Sequence, residues 1–287
     1  MSPPIDSYIE VVKEVEDLVA LPAVCLRVMD LINDPHSTAK DLERLLVQDP
    51  PLTAQLLRMA NSSFYGLRAK VDTVSRAVSV IGTKRIGNLV LALSAVKSFG
   101  KLSNGIISIE NFWHHSIYTG LIASLLARHT KYVQDESIFI AGLLHDIGQL
   151  VIFYKRPDQI RQALTSMQED ASEQEFYYYE QKVLGYDHMQ VGAELATRWG
   201  LPDNLIECIG YHHVPENAVL YPVEVGVIHI ANTLANLVEL NSNNLEDAAP
   251  VSPRAWEVTR LNPEVVQRVI QEAQTQYDNT QSVFLAA

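Results

Sequence analysis

Apolar residues recur at helical spacing along almost the whole chain, and the alternation typical of strands is nearly absent. In the first hundred residues the periodic segments are short and end at prolines or capping residues. Val24 and Val28 share a face of one segment that residues 33–35 (NDP) stop, and Thr38 followed by Asp41 has the spacing of a capping box. The pattern predicts an all-α protein.

Residues 100–110 contain few large apolar side chains and several Ser, Asn and Gly residues. They predict a boundary between two helical bundles, residues 1–105 and 106–287. A polar loop is predicted at 241–252, and the apolar tail 282–287 has no predicted element. The helices predicted in the second half are 111–129, 136–155, 157–167, 173–184, 188–199, 202–211, 222–240, 253–261 and 263–277.

The apolar helix predicted at 136–155 carries an adjacent histidine and aspartate, His145 and Asp146, in its interior. Leu144 and Ile147 flank the pair, and the spacing is that of a helix packed on several faces. Burying an imidazole and an ionised carboxylate costs several kcal/mol unless each group is paired or bound to a metal ion. The pair therefore requires partners elsewhere in the chain.

Four more histidines lie on, or at the end of, predicted helices that carry an apolar stripe: His115, His188, His212 and His213. Imidazoles and a carboxylate from four helices would suit iron, manganese, zinc or nickel, and helical bundles commonly build metal sites in this way. A lone histidine on an apolar face is more often a core or surface residue. A buried hydrogen-bond network without metal therefore stays open as a second interpretation.

The remaining histidines do not join this pattern. His36, His114 and His129 are predicted at the surface, and His229, one turn before Asn232, is predicted to form a hydrogen bond in the core. The run of three tyrosines at 177–179 indicates helix packing with some exposed rings.

The composition of the chain argues against some classes of binding partner. The formal net charge is -12 and the pI is about 5.2, with no run of basic residues, so nucleic acid and anionic membranes are not expected partners. No signal segment or uninterrupted membrane span is predicted. Cys25 and Cys208 lie far apart on helical patterns, which favours reduced thiols and a cytoplasmic location.

At this point the motifs resemble a known family. His115, then GLLHDIG, then GYDHMQVGAELATRWGLP, then YHH occur in the order typical of the HD superfamily of metal-dependent phosphohydrolases, closest to its HD-GYP branch and HDOD (HD-related output domain) relatives. In the first half, LPAVCLRVMDLINDP, LVQDPPLTAQLLRMANSSFYG and SRAVSVIGTKRIGNLVLALS are similar to the opening of HDOD proteins. The resemblance covers about residues 16–240.

The resemblance implies a metal site. In HD-GYP enzymes an iron or manganese pair activates water to hydrolyse cyclic di-GMP. Asp146 would take the metal-bridging role, because a carboxylate can coordinate two cations. The positions that match the family's ligands are His115, His145, Asp146, His188, His212 and His213.

Two ligand positions depart from the HD-GYP pattern: Asn111 stands where a Glu is expected, and Asn232 where an Asp is expected. Losing two anionic ligands weakens the site built on His115 and His145 more than the site built on Asp146 with His188, His212 and His213. Substrate contacts depart as well, because Gln149 replaces a Lys, Tyr118 replaces an Arg, and the GYP loop is missing.

These departures favour an HDOD signalling module that is non-catalytic, holds at most a residual divalent transition metal, and acts through contacts with an unidentified signalling protein. The alternative is a metal-dependent phosphohydrolase acting on another phosphoester or nucleotide, with His115, His145 and Asp146 as its catalytic residues. A structural scaffold with a buried histidine network is the third possibility.

Overall fold

The computed structural model describes residues 7–100, 102, 105–130, 137–170, 174–239 and 248–285. Within these ranges the prediction of an all-α protein is confirmed, because the chain forms sixteen α-helices and one short 3-10 helix, with no strand. Parts of some predictions lie outside the described residues. These parts are the predicted helix starts at 136 and 173, most of the predicted loop 241–252, and part of the predicted boundary at 100–110.

Six helices precede the predicted boundary. Thr38 and Asp41 form the predicted capping box, and Gly82, with a φ of 101°, turns the chain between the fifth and sixth helices. The first helix lies against two helices of the second half, Ile147–Lys155 and His188–Arg198. The bounds of the six helices of the first half are α1 Tyr8–Lys13, α2 Ala23–Asn33, α3 Ala39–Leu46, α4 Pro50–Ala60, α5 Val74–Ile81 and α6 Thr83–Phe99.

The second half contains the remaining helices. Their bounds are α7 Ile109–Ala127, α8 Ser137–Leu144, α9 Ile147–Lys155, α10 Pro157–Glu169, α11 Phe176–Leu184, α12 His188–Arg198, α13 Asp203–Tyr211, the 3-10 helix Pro215–Asn217, α14 Pro222–Glu239, α15 Pro253–Thr259 and α16 Pro263–Phe284. Helix α7 is central, since α8, α14 and α16 all pack against it. Gly120 and Gly142 let α7 and α8 approach closely, because a Cβ at Gly142 would lie 2.7 Å from the Gly120 Cα.

The prediction of a single helix over residues 136–155 is wrong. This segment is divided into α8 and α9, and His145 and Asp146 form the turn between the two helices. Asp146 has φ -101° and ψ 9°, outside the helical region. The break frees this pair from the helical repeat and turns both side chains into the same cluster.

The C-terminal helix is longer than predicted. Helix α16 extends seven residues beyond the predicted end and includes 282–284 of the tail. It packs against α7 and also against α4, and Phe284 is buried there. It therefore links the two halves of the chain.

The most apolar segment of the chain and both cysteines are buried in the fold. The segment Ser137–Lys155 is long and apolar enough to cross a membrane, but 89% of its most apolar 18-residue window is buried inside the protein, as in a core helix. Cys25 and Cys208 are buried, and neither forms a disulfide within the described chain.

Candidate metal centre

The carboxylate of Asp146 lies at the centre of a cluster of imidazoles. Its Oδ1 lies 3.3 Å from Nε2 of His188 and 3.2 Å from Nε2 of His212. Its Oδ2 lies 3.2 Å from Nε2 of His145 and 3.9 Å from Nε2 of His115. The carboxylate thus contacts histidines from four separate segments of the chain.

Backbone carbonyls orient two of these rings. His145 Nδ1 lies 2.7 Å from the Gly142 carbonyl, and His212 Nδ1 lies 2.9 Å from the Ile209 carbonyl. A carbonyl oxygen accepts only, so each Nδ1 carries the proton and donates it. In the neutral rings, Nε2 therefore turns a lone pair toward the central carboxylate.

Carboxylates orient two further rings. His188 Nδ1 lies 2.6 Å from Oε2 of Glu180, which is fully buried and also accepts the His188 backbone N–H. His213 Nδ1 contacts Oε2 of Glu175, and the His213 ring stacks on Tyr177. A carboxylate that fixes a ligating histidine through its second nitrogen is a common outer-shell arrangement in metal sites.

This arrangement fits a metal cation. His145 Nε2 and Asp146 Oδ1 are buried and have no hydrogen-bond partner in the described structure. The Nε2 lone pairs of His145 and His212 and the carboxylate oxygens favour a positive charge among them. In the metal-free protein an imidazolium at His188, 3.3 Å from Oδ1 and 3.4 Å from His212 Nε2, can supply that charge, and a divalent cation would replace it. Three imidazole nitrogens and one carboxylate oxygen are the donors that zinc, iron and related ions prefer.

The candidate ligands form two overlapping groups. Asp146, His188, His212 and His213 each offer one ligand atom, and these atoms lie within 4.8 Å of one another. His115, His145 and Asp146 form the second group. All six predicted site residues are therefore brought together.

The second group is less complete than the first. His115 Nε2 lies 2.9 Å from Oδ1 of Asn232, and its Nδ1 lies 3.1 Å from Oε1 of Glu239. Both ring nitrogens are therefore already engaged, and the amide brings no negative charge. Asn111, in the first turn of α7, is exposed.

Comparison with known proteins agrees with this architecture. The sequence profile of the HDOD domain matches residues 18–215, more than half of the chain. The chain belongs to the HDOD family. An uncharacterized protein of Treponema pallidum (strain Nichols) is 26% identical over 223 residues, which cover 76% of this chain and 42% of the relative. The chain thus spans less than half the length of that relative.

Two solved structures share the fold of this HDOD chain. An HDOD domain protein of unknown function from Geobacter sulfurreducens superposes with a TM-score of 0.73 at 25% identity, covering 96% of this chain and 97% of the other. A protein from Shewanella amazonensis SB2B, provisionally named a phosphohydrolase, has a TM-score of 0.77 at 22% identity, with 96% and 97% covered.

The charge states of the HDOD cluster differ from ring to ring. Burial acts to lower the pKa of His188, but the Glu180 and Asp146 carboxylates outweigh it and hold that pKa well above its usual value. Burial holds the pKa of His212 and of His213 well below the usual value, helped by neighbouring imidazoles. In the metal-free protein these directions favour a protonated His188 and neutral rings at His212 and His213.

Two of the other histidines also contact the elements around the site. His229 forms the predicted core hydrogen bond, from Nδ1 to the His212 carbonyl at 2.7 Å, and its Nε2 accepts the Ser252 N–H at 3.0 Å. His114 is half-buried and not a free surface residue, because Nδ1 contacts the Tyr277 hydroxyl and Nε2 lies 3.3 Å from Gln281 Nε2. His229 thus supports the backbone of the histidine pair.

Three carboxylates of the HDOD site were missed from sequence: Glu175, Glu180 and Glu239. Glu180 gave a signal, because it lies in the apolar segment FYYYEQKVL, where a buried acid needs a partner. Glu175 and Glu239 gave none, since their side chains are 42% and 45% exposed and meet histidines through tertiary contacts.

Proposed function

We propose that this HDOD chain is a signalling module that holds one divalent transition-metal ion on Asp146, His188, His212 and His213 and acts by contact with a partner protein, without turnover. The observation that carries the proposal is the contrast between the two ligand groups. In the first, the Nε2 atoms of His188 and His212 face Oδ1 of Asp146, which has no hydrogen-bond partner in the described structure. In the other, Asn232 and Glu239 already occupy the nitrogens of His115.

The substrate side supports a non-catalytic role. No Lys or Arg side chain contacts the six site residues within the ranges that the structure describes. A phosphodiester needs such cations to stabilise its developing negative charge. Tyr118, where the HD-GYP pattern has an Arg, stacks on Tyr277 of α16 at 3.8 Å between ring centroids.

Burial supports the same conclusion. The side chains of His145 and His212 are 0% exposed and that of His188 is 1% exposed, while His115 and His213 reach only 12% and 14%. A substrate as large as a cyclic dinucleotide would find few of these atoms at the surface. The cluster suits a resident ion better than a large phosphodiester.

A phosphohydrolase of another phosphoester is the second candidate, favoured by the complete Asp146 group. A metal bound there would act as a Lewis acid on a phosphoryl oxygen. In that case His115, at the rim, would move a proton at Nε2 after releasing Asn232. The likeness to the provisionally named phosphohydrolase, at 22% identity, shows the fold alone.

Metal analysis tests the first proposal. We expect close to one iron, manganese, zinc or nickel ion per chain after purification without chelator under low oxygen. Separate His212→Ala and Asp146→Ala variants, each lacking one proposed ligand, are expected to lose it while keeping their helical circular dichroism. A folded wild-type protein that stays metal-free after reconstitution would remove the metal from the proposal.

An activity panel separates the two candidates. We expect no turnover of cyclic dinucleotides, nucleotides or small phosphoesters by the metal-loaded protein. Hydrolysis that disappears in His145→Ala would establish the phosphohydrolase and overturn the non-catalytic proposal.

Metal binding is expected to release about one proton at pH 7, because His188 is protonated in the metal-free protein and must lose its Nε2 proton to ligate. His212 and His213 have lowered pKa values and contribute none. Affinity should therefore rise with pH and level off above the pKa of His188. Calorimetry in buffers of different ionisation enthalpy measures the proton count.

Glu180→Gln provides the control for that count. It removes the carboxylate that raises the pKa of His188, so we expect proton release to fall below one and metal affinity to fall about 10–100-fold. Glu169→Gln, at the exposed end of α10, should change neither quantity. Equal proton release in wild type and Glu180→Gln would contradict the assignment of the proton to His188.

A further inference from the structure

A groove of about 510 Å³ lies between α12 and α13, away from the buried face that carries the metal ligands. Its apolar lining comes from both helices, from α1 and from the loop after α13. The residues that supply this lining are Tyr8, Ala193, Ile206, Tyr211 and Leu220. We call this feature the α12–α13 groove.

Leu220, which lines this groove, and its neighbour in the chain, Val219, are both exposed apolar residues. Val219 is 80% exposed and Leu220 is 69% exposed. The carboxylate of Glu207 on α13 holds their backbone, accepting the N–H of Val219 at 2.7 Å and of Leu220 at 3.0 Å, and it also accepts the N–H of Tyr221. Exposed apolar residues on a backbone anchored in this way typify a preformed contact site.

The groove is also acidic. Glu194, Asp203 and Glu207 line it, and no Lys or Arg lines it among the described residues. Glu194 pairs with Arg198 outside the lining, but Arg198 also pairs with Glu16, so that one cation is shared by two carboxylates. The rim therefore stays negatively charged.

We propose that the α12–α13 groove binds an amphipathic helix with a basic face, supplied by the partner protein of the proposed signalling function. Apolar anchors on such a helix would meet Leu220, Val219 and the groove floor, and its Lys or Arg residues would meet the acidic rim. Symmetric pairing of this groove with the same groove of a second copy is disfavoured because two acidic rims would face each other. Nucleic acids and anionic membranes carry the wrong charge for this surface.

The groove is connected to the metal centre through α13. Gly210 lines the groove, and the preceding residue, Ile209, supplies the carbonyl that orients His212. His188 begins α12, the other wall. A helix seated in the groove thus contacts the same helical turn that positions a candidate ligand, which links partner binding to the metal site.

Peptide binding to the metal-loaded full chain tests this inference. The probe is a fluorescent helical peptide of about 18 residues, roughly 27 Å long, with Leu on one face and Lys on the opposite face. In the comparison peptide, Glu replaces every Lys. Anisotropy titrations would be run at low and high salt. We expect the Leu/Lys peptide to bind, with an affinity that falls as salt rises, and the Leu/Glu peptide not to bind.

Matched variants locate the binding. Val219→Ser with Leu220→Ser should weaken the Leu/Lys peptide about tenfold or more. Val47→Ser with Val80→Ser, at residues 54% and 52% exposed on the first half, should leave binding unchanged. Glu194→Gln with Asp203→Asn should weaken binding and flatten its salt dependence.

Three outcomes would overturn the inference: no binding of the Leu/Lys peptide, equal effects of the two Ser double variants, or equal binding of both peptides. Metal content is measured on the same samples and should be equal in all variants. Loss of metal with binding intact would count against the proposed metal function alone, and loss of binding with metal intact would count against the groove alone.

Discussion

Asp146→Asn is expected to abolish stoichiometric metal binding, with a loss of affinity greater than the 10–100-fold typical of an outer-shell change. Asp146 is the only carboxylate that contacts all of His115, His145, His188 and His212 within the described chain. Its charge is what offsets a divalent cation among neutral imidazoles. Competition with a calibrated chelator measures the change.

Asp146→Ala provides the control for stability. In the asparagine variant the amide N–H₂ can donate to His145 Nε2, which has no partner in the metal-free protein. We therefore expect the metal-free asparagine variant to exceed the alanine variant by about 1–3 kcal/mol in free energy of unfolding, the cost of an unsatisfied buried polar group. Equal stabilities, or stoichiometric metal in either variant, would contradict the proposed role of Asp146.

Gly148→Ala is expected to destabilise the metal-free protein by about 3 kcal/mol and to disturb the site. A Cβ at Gly148 would lie 1.9 Å from the His188 carbonyl oxygen and 2.6 Å from the Gly192 backbone nitrogen. These are backbone atoms, so α9 and α12 would have to separate. The separation would move His188 away from Asp146, and metal affinity should fall as well.

Gly210→Ala is the matched control, because the nearest atom to its Cβ would be the Ala193 Cβ at an ordinary 3.5 Å. Both glycines lie in helices, so helix propensity favours alanine in each by up to about 1 kcal/mol. Urea unfolding of both variants therefore isolates the steric effect. Wild-type stability of Gly148→Ala would show that α9 and α12 can separate at little cost.

Several features were predictable from sequence for local physical reasons. Helical spacing of apolar residues predicted the all-α class, and Thr38 with Asp41 predicted a capping box that forms. Both depend on residues within one or two turns of each other. The histidine motifs of the second half, together with the first-half segments, also predicted the HDOD family, which the profile match confirms.

Other features were wrong or missed. The break between α8 and α9 was not predicted, because the apolar pattern continues through His145 and Asp146 without a proline, and Asp146, the N-cap of α9, forms no capping hydrogen bond with its side chain. Histidine side chains from α7, α12 and the end of α13 converge on that turn, and sequence spacing does not reveal these contacts. The extension of α16 through residue 284 likewise depends on burial of Phe284 against other helices.

The sequence by itself determined which residues must find partners, since burying His145 and Asp146 among apolar neighbours is costly wherever they fold. Only the tertiary structure decided which atoms meet. It turned the Nε2 atoms of His145 and His212 toward one carboxylate, assigned Glu180 to His188, and gave the nitrogens of His115 to Asn232 and Glu239. The reason is physical: these contacts join residues up to 124 positions apart, and their geometry follows from helix packing.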